Sequence, residues 1–470
     1  MFCVEVYGSI MNKKKYVNRN YLTTTRIIAL GFLITVIVGT ILLSLPIASV
    51  TGTWTDLLTA GFTSTTSVCV TGLVVVDTFS YWSLFGKCVI LILIQIGGLG
   101  IVSIITLFML LLRMKITLKS TMLLQDAFNL NSKQGLLKFT IKVIKGTFLI
   151  EGIGAFIYGF YFCREYGFLK GIWFSIFHAI SAFCNAGIDI MGADSLISYH
   201  SNLLMMLNTS LLIIMGGIGF IVWWDMVEAF RRIRTKKCSI RSAWNGVHLQ
   251  TKIAVFMTLL LLFGGTFIIY LFERSNPATL GRLSEKDRVL NAFFQSVTLR
   301  TAGFAAVPQA ALRPVTAFFG VLLMMIGGSP VGTAGGMKTV TIAVIFFTFA
   351  AMIRNHEDTE VFKRSIPVSV VKKAVAIVFL SMSTIFIMTI LLLATNGVNL
   401  LDALYEVASA VCTVGLSRNL TPVLNTAGKI IIMLCMYIGR VGPISMVVAF
   451  NTQNGKHRLL HYPEEDVIVG

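Results

Sequence analysis

The chain has 470 residues, 56% of them hydrophobic and only 13% charged, with a mean hydropathy of +0.82. Soluble domains carry about 25% charged residues, so a soluble enzyme or nucleic-acid-binding domain is excluded and an integral membrane protein is expected. The net charge of +18 fits that setting, because the basic residues gather in alternate connections between apolar segments, as the positive-inside rule requires.

Apolar stretches of roughly 20 residues, long enough to cross a bilayer, fall near 27–47, 84–112, 141–162, 202–224, 252–272, 316–350, 368–394 and 427–450. Eight spans are predicted. Lys13, Lys14, Lys15, Arg19 and Arg26 precede the first, which has no small-residue cleavage site, so the N-terminus is read as retained and cytoplasmic. Basic residues then recur after the second span (Arg113, Lys115, Lys119, Lys133, Lys138, Lys142), the fourth (Arg231, Arg232, Arg234, Lys236, Lys237, Arg241) and the sixth (Arg354, Lys363, Arg364, Lys372, Lys373), whereas none lies between Ala48 and Gly86. Arg274, Arg282, Lys286, Arg288 and Arg300 blur the rule in the third quarter of the chain, where they fall on the outer side. Both termini are expected inside, in a multi-pass protein of the plasma membrane.

Between the two spans of each pair lies a stretch too apolar for an ordinary loop and too short to cross: 54–67, 171–183, 287–299 and 400–411. Each leads into a glycine, in VCVTG (Val68 to Gly72), FCNAG (Phe183 to Gly187), LRTAG (Leu299 to Gly303) and VCTVG (Val411 to Gly415). Subtracting the glycine positions gives spacings of 115, 116 and 112 residues, so one unit is used four times. The units are predicted at 1–115, 116–235, 236–355 and 356–470. Because each begins and ends inside, they are parallel copies about an axis along the membrane normal, unlike the inverted repeats of many carriers.

A half-length helix followed by irregular backbone is tolerated at membrane depth only where it is buried in protein or lines water. Its C-terminal end carries partial negative charge, and the carbonyls that follow can replace a cation's hydration shell. The candidate filter is therefore Val70, Thr71 and Gly72; Asn185, Ala186 and Gly187; Thr301, Ala302 and Gly303; and Thr413, Val414 and Gly415. Glycine is required where converging carbonyls demand dihedrals closed to residues with a Cβ. Thr413-Val414-Gly415 matches the first half of the potassium-channel filter TVGYG, which makes potassium the expected substrate ion, with sodium a second candidate. No strand continues into a second glycine, so a shorter and less selective filter is expected.

With these features the chain resembles the membrane subunit of Ktr-type potassium uptake systems, within the Trk/Ktr/HKT superfamily. The likeness runs from the first span to the closing HYPEEDVIVG. It implies an all-α integral membrane fold of four M1-P-M2 (potassium-channel-like) repeats with pseudo-fourfold symmetry around one pore. It also implies potassium uptake, a homodimer of the membrane subunit, and a cytoplasmic regulatory ring that binds nucleotides; the tail from Tyr462 to Gly470 is a candidate dimer contact. Membrane lipid is the remaining expected partner, and nucleic acid is not one.

A second repeated signature sits in the second span of each unit: Ile96-Gly97-Gly98-Leu99-Gly100, Met215-Gly216-Gly217-Ile218-Gly219, Ile326-Gly327-Gly328-Ser329-Pro330 and Ile438-Gly439-Arg440-Val441-Gly442. Glycine pairs there permit close helix approach or local unwinding. The third copy runs on to Lys338 with five glycines and a proline, and no helix passes through such a run unbroken. Gly327, Gly328, Gly332, Thr333, Ala334, Gly335 and Gly336 are accordingly expected to form a mobile gate under the filter. Arg440 stands where the other copies have Gly98, Gly217 and Gly328; a guanidinium at that depth must face water or partner groups. As an electrostatic barrier to cations and a latch on the gate's carbonyls, it completes the expected site, in keeping with the resemblance.

Arg300 replaces the cysteine found three residues before the other filter glycines (Cys69, Cys184, Cys412), and either packs behind the filter against a carboxylate such as Glu406 or sits near the mouth. His178 and Glu406, nine residues before their glycines, are read as hydrogen-bonded structural groups. Asp77 and Asp189, just past two filters, either concentrate cations at the entrance or are solvated loop residues. The eight cysteines form no CxxC pair, and no disulfide is expected. No metal site beyond potassium in the filter, no cofactor and no catalytic constellation is expected, so transport must run down an electrochemical gradient. A secondary carrier for another solute, or a Trk-type symporter subunit, is the alternative.

Overall fold

The computed structural model describes residues 24–100, 103, 106, 136–192, 194–236, 239–356 and 358–442. The N-terminal lysines, the basic residues from Arg113 to Lys133, the ends of the predicted spans 84–112 and 427–450, and the tail from Tyr462 to Gly470 lie outside them.

Four times the chain runs through a long helix, a short one and a third that breaks. The long helices are α1 (Thr24–Ser44), α4 (Leu136–Tyr166), α8 (Leu249–Glu273) and α12 (Val368–Asn396); among the described residues these four are the unbroken helices long and apolar enough to cross a membrane. The short helices are α2 (Leu57–Cys69), α5 (Phe168–Cys184), α9 (Glu285–Thr298) and α13 (Leu400–Val411). The third helices are α3 (Leu84–Leu99), α6 with α7 (Leu203–Gly217 and Phe220–Lys236), α10 with α11 (Pro314–Met325 and Thr339–Ile353) and α14 (Thr426–Val441). A two-stranded hairpin, β1 (Glu360–Val361) with β2 (Arg364–Ser365), joins α11 to α12 and supplies the only strands among the described residues.

Polar caps set where these apolar helices start. Asp56 accepts from the N–H groups of Leu58 and Thr59 at the head of α2, and Ser284 from that of Asp287 at the head of α9. Ser83, Asn202 and Asn425 cap α3, α6 and α14, and Pro314 opens α10, a position where its missing N–H costs nothing. The side on which the short helices begin is here called the mouth face.

The second spans do not continue as the apolar runs suggest. Gly100, Gly219 and Gly442 take φ of 82°, 96° and 92°, left-handed values that end a right-handed helix. α7 leaves α6 at 98°. Local unwinding, one of the two readings of the glycine pairs, thus occurs at Gly219, and α3 and α14 end at Gly100 and Gly442.

Small and hydroxyl residues carry the helix contacts, as they must where lipid gives no hydrophobic drive for helix association. Ser64 of α2 donates to the Val36 carbonyl of α1 (2.7 Å), and Ser296 of α9 to the Leu262 carbonyl of α8 (3.0 Å); Gly39 and Gly265 leave room for these two serines. Tyr158 and Thr209 bond between α4 and α6 at 2.6 Å. Around the molecule each third helix also packs on the short helix of the next repeat: α3 on α5, α6 on α9, α10 on α13, and α14 back on α2. The circle closes, giving four repeats about one pore. Ile34, Phe160, Phe263, Phe379 and Ile390 are exposed on the outside, where lipid covers them.

Candidate ion pathway

After each short helix the backbone alternates in hand. Val70, Asn185, Thr301 and Thr413 have φ of 55°, 61°, 67° and 51°, and two residues on, Gly72, Gly187, Gly303 and Gly415 have 97°, 64°, 83° and 98°. Three of the first set are β-branched, the class for which a left-handed conformation is a true outlier; such strain, about 1–3 kcal/mol per residue, persists where the surroundings over-determine it.

Those surroundings include one hydroxyl per repeat. Thr66 and Ser409 accept from the N–H of Gly72 (2.9 Å) and Gly415 (3.0 Å), while Ser181 and Thr298 donate to the carbonyls just past Gly187 and Gly303, those of Ile188 (2.5 Å) and Phe304 (2.7 Å).

The strands meet in a ring. A Cβ on Gly72 would strike the carbonyl of Ala186 at 2.5 Å, one on Gly187 that of Ala302 at 2.7 Å, and one on Gly303 that of Val414 at 2.6 Å; one on Gly415 would strike that of Thr71. Each glycine therefore abuts the carbonyl before the next repeat's glycine, in the order one, two, three, four and back to one. All twelve candidate filter residues come together here, and no side chain fits at the four glycines.

Beneath the ring lies the 327–337 stretch. It is held as a loop by backbone pairing of Gly327 with Met337 (3.0 Å) and Met337 with Met325 (3.1 Å), and tied to the broken end of α6. There Ser329 and Thr333 donate their N–H to the carbonyls of Gly217 (2.8 Å) and Gly216 (3.1 Å), and Phe220 donates to Val331 (2.8 Å). The Thr333 hydroxyl donates to the carbonyl of Phe183, at the C-terminal end of α5 (3.1 Å). A Cβ on Gly335 would meet Thr413 and the Cys412 carbonyl of the fourth strand. The loop thus reaches from the second repeat to the fourth across the path below the glycines.

Two cations grip its backbone. Arg440 Nη1 donates to the Thr333 carbonyl at 2.8 Å while Nη2 donates to the Gly97 carbonyl of α3; Lys338 Nζ donates to the Ala334 carbonyl at 2.7 Å. Arg440 therefore joins the fourth repeat, the loop and the first repeat. Its fork geometry allows one side chain to hold two carbonyls, which a lysine cannot do in the same way.

Other expectations meet mixed outcomes. Glu406 is hydrogen-bonded as expected, accepting from Ser417 (2.8 Å) and Thr421 beyond the fourth strand. It does not pair with Arg300, which is buried behind the third strand rather than exposed on the outer side. His178 is buried among the rings of Tyr158, Phe162 and Phe304, and neither ring nitrogen has a hydrogen-bond partner; it packs rather than bonds. Cys184 packs against Gly98, and the six described cysteines are free thiols. Asp77 caps the short helix Thr78–Tyr81. Asp189 accepts from Ser195 Oγ (2.6 Å) and the Met191 N–H (3.2 Å). Burial, with a smaller push from Asp77, raises its carboxyl to about 6 against the pull of those two bonds.

The four hydroxyl tethers and Lys338 escaped the sequence reading. A serine or threonine five or six residues before each filter glycine was the available signal; Lys338 showed as the end of the glycine-rich run, without a visible partner.

Four inserted short helices, a ring of glycine carbonyls and a loop across the path beneath define a membrane protein with a single central passage of ion-channel architecture. The sequence matches the TrkH family of cation transport proteins over residues 7–460, and the chain belongs to that family. It is 38% identical over 467 residues to the "Potassium/sodium uptake protein NtpJ" of Enterococcus hirae, covering 98% of this chain and 100% of that one. It is 37% identical over 461 residues to the "Ktr system potassium uptake protein B" of Bacillus subtilis, covering 98% and 100%. Among solved structures, the potassium transporter TrkH of Vibrio parahaemolyticus superposes with a TM-score of 0.71 over 93% of this chain and 86% of that one; at 15% identity this is a likeness of fold. These relatives are ion transporters, and the chain is not an enzyme.

Proposed function

We propose that the protein conducts potassium into the cell through the glycine ring, down its electrochemical gradient, with sodium influencing or sharing the path. The observation that carries this reading is the closed ring in which each filter glycine abuts the next repeat's carbonyl. Oxygens so placed substitute for the water of a dehydrated cation, and the inside-negative potential supplies about 2.3 kcal/mol per charge per 100 mV. The names of relatives, potassium/sodium uptake and Ktr system potassium uptake, agree with that substrate.

In this reading the loop is the gate, held shut by Thr333, Arg440 and Lys338. The mouth face is outside, both termini are cytoplasmic, and the functional units are 1–115, 116–235, 236–355 and 356–470. A homodimer of this chain sits on a cytoplasmic, nucleotide-binding regulatory ring; the word "system" in the names of relatives supports a second component. The test is growth of a host lacking its own potassium uptake on limiting potassium. The intact chain restores growth and Gly303→Ser does not; failure of the intact chain to restore growth or rubidium uptake with any regulatory partner overturns the proposal.

A further inference from the structure

Arg300 is the one basic residue in the four filter strands. Its side chain is 6% exposed and its Nε has no partner. The Arg–carboxylate pairs among the described residues, Arg232–Glu228, Arg288–Glu285 and Arg418–Asp402, leave it out. An uncompensated guanidinium inside a membrane protein is costly, and its charge beside the filter opposes every cation that enters.

Arg300 lines a cavity of about 10 Å³ between the second and third repeats, together with Ile214, Gly217, Ile218, Thr258, Leu262 and Gly328. Thr258 Oγ1, on α8, is buried there and likewise without a partner. The neighbouring carbonyls are engaged: Ile214 accepts from Ile218, Gly217 from Ser329, Val297 from Arg300 and Gly328 from Thr339. The cavity thus offers a positive charge and the Thr258 hydroxyl, which can donate or accept. A water can bond to that hydroxyl but cancels no charge. Phosphate and sulfate are too large for a space that holds about one water-sized body.

We propose that this cavity binds one monatomic halide, chloride in the cell, held by the Arg300 guanidinium and the Thr258 hydroxyl. It neutralises the third filter strand from behind. Gly328 forms both a wall of the cavity and the start of the gating loop, so occupancy also braces that end of the loop.

The test uses the purified full chain in lipid nanodiscs at constant potassium and ionic strength, with chloride, bromide or gluconate as the anion. Chloride and bromide should raise the thermal midpoint saturably by at least about 2 °C over gluconate. A bromide crystal should show an anomalous peak between Arg300 and Thr258. Arg300→Gln should abolish the halide dependence. Should that variant fail to fold, Thr258→Val, which keeps the charge, should raise the half-saturating halide concentration about tenfold, the loss of one charge-assisted bond. Equal midpoints in chloride and gluconate, or bromide-treated crystals with no peak in the cavity, overturn the proposal and leave water as the occupant.

Discussion

Replacing Arg440 by alanine tests the gate where its contacts are fewest and strongest. The other repeats carry glycine at this place, Gly98, Gly217 and Gly328, so a small residue fits the surrounding backbone. Alanine removes the donations to the Thr333 and Gly97 carbonyls. Hydrogen bonds to charged groups contribute roughly 1.5–3 kcal/mol each. Water entering beneath the filter restores part of that, and the Thr333 N–H and hydroxyl keep their own partners, Gly216 and Phe183. A net loss of about 2–3 kcal/mol for the closed loop is reasonable, equal to about 30- to 150-fold in the ratio of displaced to closed loop. Removing the positive charge also lowers the barrier to a cation below the ring. Both changes act in one direction. Initial rates of potassium uptake into proteoliposomes without a regulatory partner should rise at least tenfold, up to the limit set by conduction itself, and Arg440→Lys, which keeps the charge and loses the fork, should fall between alanine and the intact chain. A stably folded alanine variant with a rate within twofold of the intact chain refutes both the latch and the barrier.

Gly303→Ser places a Cβ at φ 83° against the Val414 carbonyl at 2.6 Å and the Gly187 Cα at 2.9 Å; the protein should fold, and the potassium concentration for half-maximal uptake should rise more than tenfold. Ser409→Ala takes the acceptor from the Gly415 N–H and leaves a buried donor unmatched, costing about 1–3 kcal/mol; thermal unfolding should move down by a few degrees, and competition experiments should show a smaller preference for potassium over sodium. Asp189, raised to about 6, is charged at neutral outer pH and gains a proton as pH falls through 6. Half-saturating potassium should therefore climb between pH 7 and pH 5, and Asp189→Asn should show the acid-side value throughout; a variant that retains the pH response assigns it elsewhere.

The parts of the site that follow from covalent geometry could be read in the sequence. Gly72, Gly187, Gly303 and Gly415 recur because converging carbonyls require a backbone that only glycine adopts without strain, and the 13-residue α2 and 12-residue α13 are too short to cross. The third break was visible because Gly327 to Gly336 cannot be helical. The breaks at Gly100, Gly219 and Gly442 were not, since a glycine in an apolar run serves packing as readily as unwinding, and only the left-handed φ tells them apart. Nor could the sequence pair Arg300. One candidate partner, Glu406, turns to Ser417 and Thr421 on its own repeat, and a charge without a partner leaves no trace in residue order.

The fourfold ring and the single loop are two parts of one construction. Breaking a helix frees carbonyls that would otherwise accept the N–H four residues on. The break after α6 frees Gly216 and Gly217, which accept from Thr333 and Ser329, and the break after α3 leaves Gly97 to accept from Arg440. Arg440 itself lies two residues before the break at Gly442. Three repeats thus interrupt their inner helices to make a cradle, and the third contributes the segment that lies in it. The same repeat departs from the others at the filter. Thr71, Ala186 and Val414 donate to the carbonyl five residues back, that of Thr66, Ser181 or Ser409, whereas Ala302 donates four residues back, to Thr298. A pore built from four identical chains would have to carry four such loops or none. Four repeats in one chain allow ring symmetry at the filter, where a spherical ion gains from it, and a single off-axis segment below, which in the function proposed above is the gate.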